Sequence, residues 1–357
     1  MQLKSSSQFF EDIFYRRTWW VVLLAPLSWI FFILVVIRRT FQKKINPSSS
    51  LKVPVIVIGN INIGGTGKTP LVIAIARYLK DAGYKPGIVS RGYKGNSSIY
   101  PILLNKKSQA LDVGDEPLLL ADICPVTVDP NRHRAANYLL EKTDCDLILS
   151  DDGLQHYKLP RDIEIAVVNG NKKFGNGLLL PAGPLREPVG RLNEVDFIVT
   201  NYNTSSSMGK SIKQDEFFLE TESHFTIKPV RLKNLVSGEV HLIANEFSSN
   251  GLLAKSIKDW KYGEQIHAVA GIGDPQRFAD TLVSLGFEPI LQSLQDHYHF
   301  DGDELFFDDD LPVIITAKDA VKCKAINNDK VWVLDIEAKA DPIFLKNLLE
   351  QVKRVNI

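Results

Sequence analysis

The sequence carries no excess charge: 42 lysines and arginines face 42 aspartates and glutamates in 357 residues. It therefore lacks the basic balance of a nucleic-acid binder, and an anionic ligand must be held by local features. Cysteine is scarce too. Cys124, Cys145 and Cys323 are odd in number, and no two have metal-ligand spacing. This argues against a disulfide framework or a zinc site and fits a reducing, cytosolic setting for the main body. Their apolar, strand-like surroundings predict small buried side chains. There is no short-period repeat and no low-complexity tract. Hydrophobic residues make up 45% and charged residues 24%, ordinary for a globular protein. The length exceeds one typical core, so two domains are expected.

One run departs from that texture. Trp19–Ile37 holds 19 residues without a charge. At about 1.5 Å per residue, such a helix approaches the thickness of a bilayer's hydrocarbon core. Arg16 and Arg17 precede it, and Arg38, Arg39, Lys43 and Lys44 follow. Trp19 and Trp20 lie at one end, where aromatic rings favour the interface. A cleaved leader is disfavoured, because the run is long and basic residues follow it in place of a small-residue cleavage site. A membrane helix is expected, spanning or partly embedded, with a kink at Pro26. The larger basic cluster on its C-terminal side favours a cytosolic main body.

After the polar linker 46–50, strand-like and helical runs alternate. Val53–Ile58, Gly87–Ser90, Pro125–Val128, Leu147–Ser150, Ile163–Val168 and Phe197–Thr200 read as buried strands, with helical periodicity over Lys68–Ala82. That alternation predicts an α/β fold with a parallel sheet. Between about 216 and 242 apolar and polar residues alternate, as in one or two antiparallel strands bridging two domains. A second, smaller α/β pattern follows, with strands at Ile266–Ala270, Pro289–Leu291, Val313–Thr316 and Val331–Leu334 and helices after Pro275 and Asp341. The expected divisions are 1–45 (membrane anchor and basic flank), 50–215 (a domain like the P-loop NTPases), 216–242 (β linker) and 243–357 (second α/β domain).

Gly59-Asn-Ile-Asn-Ile-Gly-Gly-Thr-Gly-Lys-Thr69 follows the first strand and opens a helix, the context a phosphate-binding loop requires. Asn62, Ile63, Gly64, Gly65, Thr66, Gly67, Lys68 and Thr69 form its candidate ligand-holding stretch. The glycines let backbone N–H groups close on phosphate oxygens at a positive helix terminus. Lys68 would reach the β- and γ-phosphates of a nucleotide, and the Thr69 hydroxyl would bind Mg²⁺. Asn62 stands where such motifs usually open with glycine. Because Asn tolerates left-handed backbone, the loop is expected to survive. Downstream, an apolar strand ends in Asp151 and Asp152. A carboxylate at such a tip beside a phosphate loop typically holds Mg²⁺. If the strand continues, the two point to opposite sides and do different jobs. Gln155 and His156 are candidates to complete the metal and phosphate surroundings.

Taken together, Gly64–Pro70, Ser90–Tyr93, Gly114–Pro117, Ser150–His156, Pro181–Glu187 and Thr316–Ala320 resemble the motifs of the tetraacyldisaccharide 4′-kinases, in order and along nearly the whole chain. The family resembles this sequence in opening its loop without the first glycine. The resemblance implies two α/β/α domains joined by a β linker behind an N-terminal membrane helix. It also implies transfer of the γ-phosphate of ATP, with Mg²⁺, to the 4′-hydroxyl of an acylated glucosamine disaccharide 1-phosphate, giving a lipid A precursor at the inner membrane. By the same resemblance Asp115 is the candidate base. His297 is its candidate partner, chosen over His299. Asp151, Gln155 and Glu187 serve Mg²⁺, and Arg91 and Arg186 contact phosphates or the headgroup. No protein partner is implied.

Without the resemblance, Asp115 reads equally well as an acid in a helix's first turn, and His297 as a solvated loop residue. Lys318 could approach the nucleotide, cap a helix or sit in a surface ion pair. The turn Gly271–Pro275 could face a cleft between domains. Two other enzyme classes share the loop: a ligase or kinase acting on a soluble small molecule, which has no use for Trp19–Ile37, and a membrane-associated nucleotide-switch ATPase, which delivers phosphate to water. A scaffold without activity is disfavoured by the intact Gly67-Lys68-Thr69.

Overall fold

A computed structural model describes residues 14, 20–45, 51–202, 222–243, 260, 262–323 and 326–355. The basic residues Arg16 and Arg17, Trp19, the linker 46–50 and the first residues of the 216–242 bridge lie outside them.

Helix α1 (Trp20–Ile45) runs through Pro26 without interruption. Its segment Val21–Gln42 is long and apolar enough to cross a membrane, and little of it is buried against the rest of the chain. Val22, Leu23, Trp29, Ile30 and Leu34 are exposed along it. The exception is Ser28, which is buried. Its hydroxyl donates to the Leu179 carbonyl at 2.7 Å and accepts from Ala182 N–H at 3.1 Å. A polar side chain in an apolar helix thus fastens α1 to the loop that carries Arg186 and Glu187.

The strands β1 (Val55–Gly59), β2 (Pro86–Ser90), β3 (Ile102–Leu103), β4 (Val126–Val128), β5 (Leu147–Ser150), β6 (Ile163–Asn169) and β7 (Phe197–Asn201) form one half of a sheet that has 13 strands among the described residues, and their order there is β7-β6-β1-β5-β2-β4-β3. Only β3 runs antiparallel in this half. In β1 Val55 and Val57 pack to one face, while Ile56 and Ile58 pack to the other. Every residue is apolar because both faces are covered. On one face lie α2 (Lys68–Asp81) and α8 (Pro342–Val355), on the other α5 (Arg132–Lys142).

β8 (Glu222–Asn234) joins the halves: it pairs parallel with β7 and antiparallel with β13 (Val331–Ala340) and β9 (Val240–Leu242). The antiparallel bridge matches the sequence reading, whereas the parallel edge on β7 had no signature there. A register shift falls where Arg231 and Pro229 face Asp335 and Ile336. Proline has no N–H for the ladder and is placed at such irregularities. Beyond β13 come β12 (Val313–Thr316), β10 (Gln265–Ala270) and β11 (Glu288–Ser293), all parallel, with α6 (Pro275–Ser284) packed on them. Of the short helices α3 (Ala110–Val113), α4 (Asp115–Ala121) and α7 (Ala317–Ala320), α4 and α7 line the cleft. Residues 342–355, counted with the second unit in the sequence reading, return to the first: Phe344, Leu348 and Val352 of α8 are buried in its core, with the Phe344 ring edge-on to Phe197.

The three cysteines are buried, as their surroundings predicted. Burial pushes the thiol of Cys124 up to about 11 and that of Cys323 up to about 12, so neither is a reactive thiolate at neutral pH.

Candidate active site

One cleft of about 1230 Å³ takes its walls from both halves of the sheet and from α1, including Phe31, Leu34 and Arg38 of that helix. The phosphate loop forms one end. Gly67 adopts φ 87° as the cap of α2, and a Cβ there would lie 2.6 Å from Asn201 Nδ2 and 2.8 Å from Ile227 Cδ1. Both backbone and space therefore require glycine. No side chain caps α2, which leaves its first N–H groups available to an anion. Asn201 also donates to Thr66 O at 3.0 Å, holding the loop from β7.

Asn62 does not use the left-handed tolerance expected of it. The left-handed loop residues are Gly64 and Gly67, while Asn62 forms a bridge with Leu185 and donates to Lys173 O at 3.3 Å. Pairing with the 178–187 loop, rather than a strained turn, accommodates the missing glycine.

Lys68 reaches Asn60 Oδ1 at 3.1 Å and Asp152 Oδ1 at 3.3 Å. Burial pushes Asp152 up, but Lys68, Arg186 and Arg132 outweigh it and bring the carboxyl down to about 2. Asp151 and Asp152 are not strand neighbours on opposite faces: β5 ends at Ser150, and both sit in the turn that follows, Asp152 at φ 48°. Arg132, buried, clamps this turn by donating to the carbonyls of Asp151 at 2.6 Å and Asp152 at 3.2 Å. Burial, reinforced by Glu116 and Asp152, drives the Asp151 carboxyl upward. Its Oδ1 is buried with no hydrogen-bond partner among the described residues.

Beside it Gln155 donates to Glu187 Oε2 at 2.8 Å and to Asn60 O at 2.9 Å, and Tyr157 donates to Glu187 Oε1. Arg191 donates to Tyr157 Oη at 3.4 Å, and Arg39 of α1 and Arg161 lie over the Tyr157 ring. His156 is held well below its usual range, at about 3, by burial and by Arg132, Arg91, Arg38 and Arg161. Its ring is neutral at working pH.

Among the described residues no group of three or more His, Cys, Asp or Glu is arranged to hold a metal. A magnesium ion needs less: one or two carboxylates, with water and substrate phosphates completing the octahedron. The unpartnered Asp151 oxygen, with Glu187 and the Thr69 hydroxyl lining the same cleft, fits that demand.

Another part of the cleft wall is built from distant segments. Gly114, at φ 84°, allows α4 to start against the Tyr93 carbonyl, which a Cβ would meet at 2.5 Å. Asp115 opens α4, and its Oδ2 lies 2.8 Å from His297 Nδ1. His297 is at φ 65°, its N–H bonded to Gly271 O at 3.0 Å and its ring edge-on to Tyr93. A left-handed non-glycine persists only where its surroundings over-determine it. Burial pushes Asp115 up, but the His297 hydrogen bond, followed by Lys322 and Lys318, brings it below the ordinary carboxylate value. His299 is turned away, exposed beside Asp301. Lys318 sits in ion pairs with Glu116 at 3.4 Å and Asp296 at 3.8 Å. Of the sequence candidates, Arg91, Arg186, Lys318 and His156 line the cleft with the loop. Sequence reasoning missed Arg132, Asn60, Asn201 and Tyr157, whose types and positions carry no motif of their own.

The family model for tetraacyldisaccharide-1-P 4′-kinase matches residues 20–353. The chain belongs to the tetraacyldisaccharide 4′-kinase family. Among these kinases, that of Hahella chejuensis is 40% identical over 348 residues, covering 95% of this chain and 94% of its own. That of Legionella pneumophila (strain Corby) is 41% identical over 340 residues, covering 95% of each. A solved "apo" form of LpxK from Aquifex aeolicus in complex with ATP superposes with a TM-score of 0.75 at 27% identity, covering 95% of this chain and all of that one. The mixed α/β architecture with a largely parallel sheet is thus the family's.

Proposed function

We propose that this chain transfers the γ-phosphoryl group of ATP to the 4′-hydroxyl of a tetraacyldisaccharide 1-phosphate, yielding the 1,4′-bisphosphate lipid IVA. The observation that carries the reading is a cleft lined together by the phosphate loop, by α1 and by His297, with Asp115 buried behind His297 at 2.8 Å. The 4′-oxygen forms the new bond to the γ-phosphorus, the bond to the β–γ bridging oxygen breaks, and ADP departs. The hydroxyl proton goes to Asp115, oriented by His297. Lys68, the loop amides and the start of α2 hold the phosphates, and Arg91 and Arg186 add positive charge for phosphate or headgroup. Asp151, Thr69 and Glu187 would hold Mg²⁺, with Gln155 fixing Glu187. When bound, the ion neutralises charge on the transferring group.

An acceptor with four acyl chains stays in the bilayer, since each buried CH₂ contributes about 0.8 kcal/mol. The apolar α1 would bring the cleft to it at the cytoplasmic face of the inner membrane. We read residues 1–45 as the anchor, 50–215 as the phosphate-loop unit, 216–242 as the strand linker and 243–357 as the second unit, except that its last helix, α8, packs on the core of the first. Support for the division comes from separate core clusters on either side of β8.

The test is incubation of the full-length protein with γ-labelled ATP, Mg²⁺ and the disaccharide lipid. Label is expected on the lipid at the 4′-position. Free labelled phosphate with unlabelled lipid would favour the ATPase reading, and label only on soluble acceptors the small-molecule reading.

A further inference from the structure

Behind the Asp115–His297 pair lies a charge cluster that the reaction scheme above leaves unused. Asp319, the first-turn acid of α7, is fully buried, and Lys322 is nearly so, with their charged atoms 2.7 Å apart. Spaced three residues apart, such a pair reads in sequence as a local ion pair of a helix end. The structure gives each partner a second connection. Lys322 Nζ lies 3.9 Å from Asp115 Oδ2, on the other half of the sheet. Asp319 Oδ2 accepts from Gly271 N–H at 3.2 Å and from Thr316 Oγ1 at 2.7 Å. Gly271 in turn accepts from His297 N–H at 3.0 Å, and His297 closes on Asp115 at 2.8 Å. The contacts form a ring: Asp319, Gly271, His297, Asp115, Lys322 and back to Asp319.

We propose that Lys322, fixed by Asp319, is a positioning residue that fastens the Asp115–His297 pair across the cleft. The inference rests on Asp115 being the base. A purely local ion pair would need neither the reach to α4 nor the tie through Gly271 to the left-handed His297. A buried ammonium must be matched by negative charge. Here it is shared between two carboxylates and the face of Phe300, 5.0 Å away. Sharing still leaves Lys322 among the groups that hold Asp115 below the ordinary carboxylate value, after the His297 hydrogen bond. The charged groups facing Asp115 are His297 and Asp296 from the loop after β11, Lys318 and Lys322 from α7 and its end, and Glu116 on its own helix. Of these, Lys318 already faces Glu116 and Asp296. Lys322 therefore supplies the cation committed to Asp115 and Asp319.

The sign follows. Removing the Lys322 charge leaves Asp115 near a second carboxylate, so it takes up a proton at higher pH. Removing the Asp319 charge leaves the Lys322 field on Asp115 unshared, so protonation moves to lower pH. The experiment is the pH profile of kcat/KM for lipid phosphorylation by full-length wild type, Lys322→Met, Lys322→Arg and Asp319→Asn, with the ATP Kd measured alongside. Lys322→Met is expected to raise the acid limb by about one pH unit, because an opposite charge within about 4–6 Å shifts a carboxyl by about one to three. It should also lower kcat about tenfold or more, with the ATP Kd changed less than about twofold. Lys322→Arg should keep the limb near wild type, and Asp319→Asn should move it down. A structural role would move both neutral variants the same way, or lower activity with no movement of the limb; either result overturns the proposal. Should Lys322→Met fail to fold, Asp319→Asn and Lys322→Arg carry the same signed test. Asp115→Asn separates the layers: normal transfer in that variant removes the base itself, whereas a dead Asp115→Asn beside an unshifted Lys322→Met removes only this inference.

Discussion

The two ends of the cleft are built in opposite ways. At the phosphate loop the work is done by one contiguous stretch, a strand, two left-handed glycines, a helix start and the Lys68 side chain, all within about a dozen residues. At the Asp115 end it is done by buried side chains from α4, the loop after β11 and α7, which meet only when both halves of the sheet are in place. Backbone donors are fixed by local geometry and do not titrate. A ring of buried charges is fixed by long-range packing and depends on pH and on every member. Nucleotide grip and proton acceptance should therefore fail separately.

That separation can be broken most severely at the loop. Lys68→Ala removes the cation at Asn60 and Asp152, and transfer should fall about a thousandfold or more, by analogy with loss of one charge-stabilising donor. Weaker binding of a fluorescent ATP analogue should accompany it. Asp115→Asn should cost about a hundredfold or more in kcat, in the range of general-base losses, with that binding retained. Near-normal turnover in Asp115→Asn would remove the residue from the base role.

Smaller effects are expected at Tyr157 and Ser28. Tyr157→Phe deletes the hydroxyl on Glu187 but leaves the ring between Arg39 and Arg161. The Mg²⁺ concentration for half-maximal rate should rise about tenfold, as for other groups that orient metal ligands, and an unchanged Mg²⁺ curve would contradict the placement of Glu187. Ser28→Ala deletes one buried hydrogen-bonding hydroxyl, worth about 1 kcal/mol. It should lower the melting temperature by a few degrees and leave nucleotide affinity alone.

The same contrast governs how much could be read from the sequence. β1, the loop and α2 are contiguous, and their apolar run, glycines and Gly67-Lys68-Thr69 declare them directly. β5 was legible for the same reason. Its tip was not, because whether a strand continues past Ser150 depends on Arg132 holding the turn carbonyls from another helix. Asp115 and His297 carried equal bland readings, and the family resemblance alone singled them out. Asp319 lay within the Thr316–Ala320 motif but without a role, and Lys322 went unread, since a lysine three residues after an aspartate is ordinary on any helix surface and only burial distinguishes it. The length of β8 and the return of α8 to the first core were likewise set by tertiary pairing rather than by periodicity.

One cleft divides the labour between the phosphate loop with its Lys68 side chain and a buried acid. Calorimetric titration of Mg·ATP into wild type, Lys68→Ala and Asp115→Asn measures that division directly. Wild type and Asp115→Asn should bind with Kd values within about threefold, while Lys68→Ala binds at least about tenfold more weakly. Equal loss of binding in both variants, or none in Lys68→Ala, would contradict it.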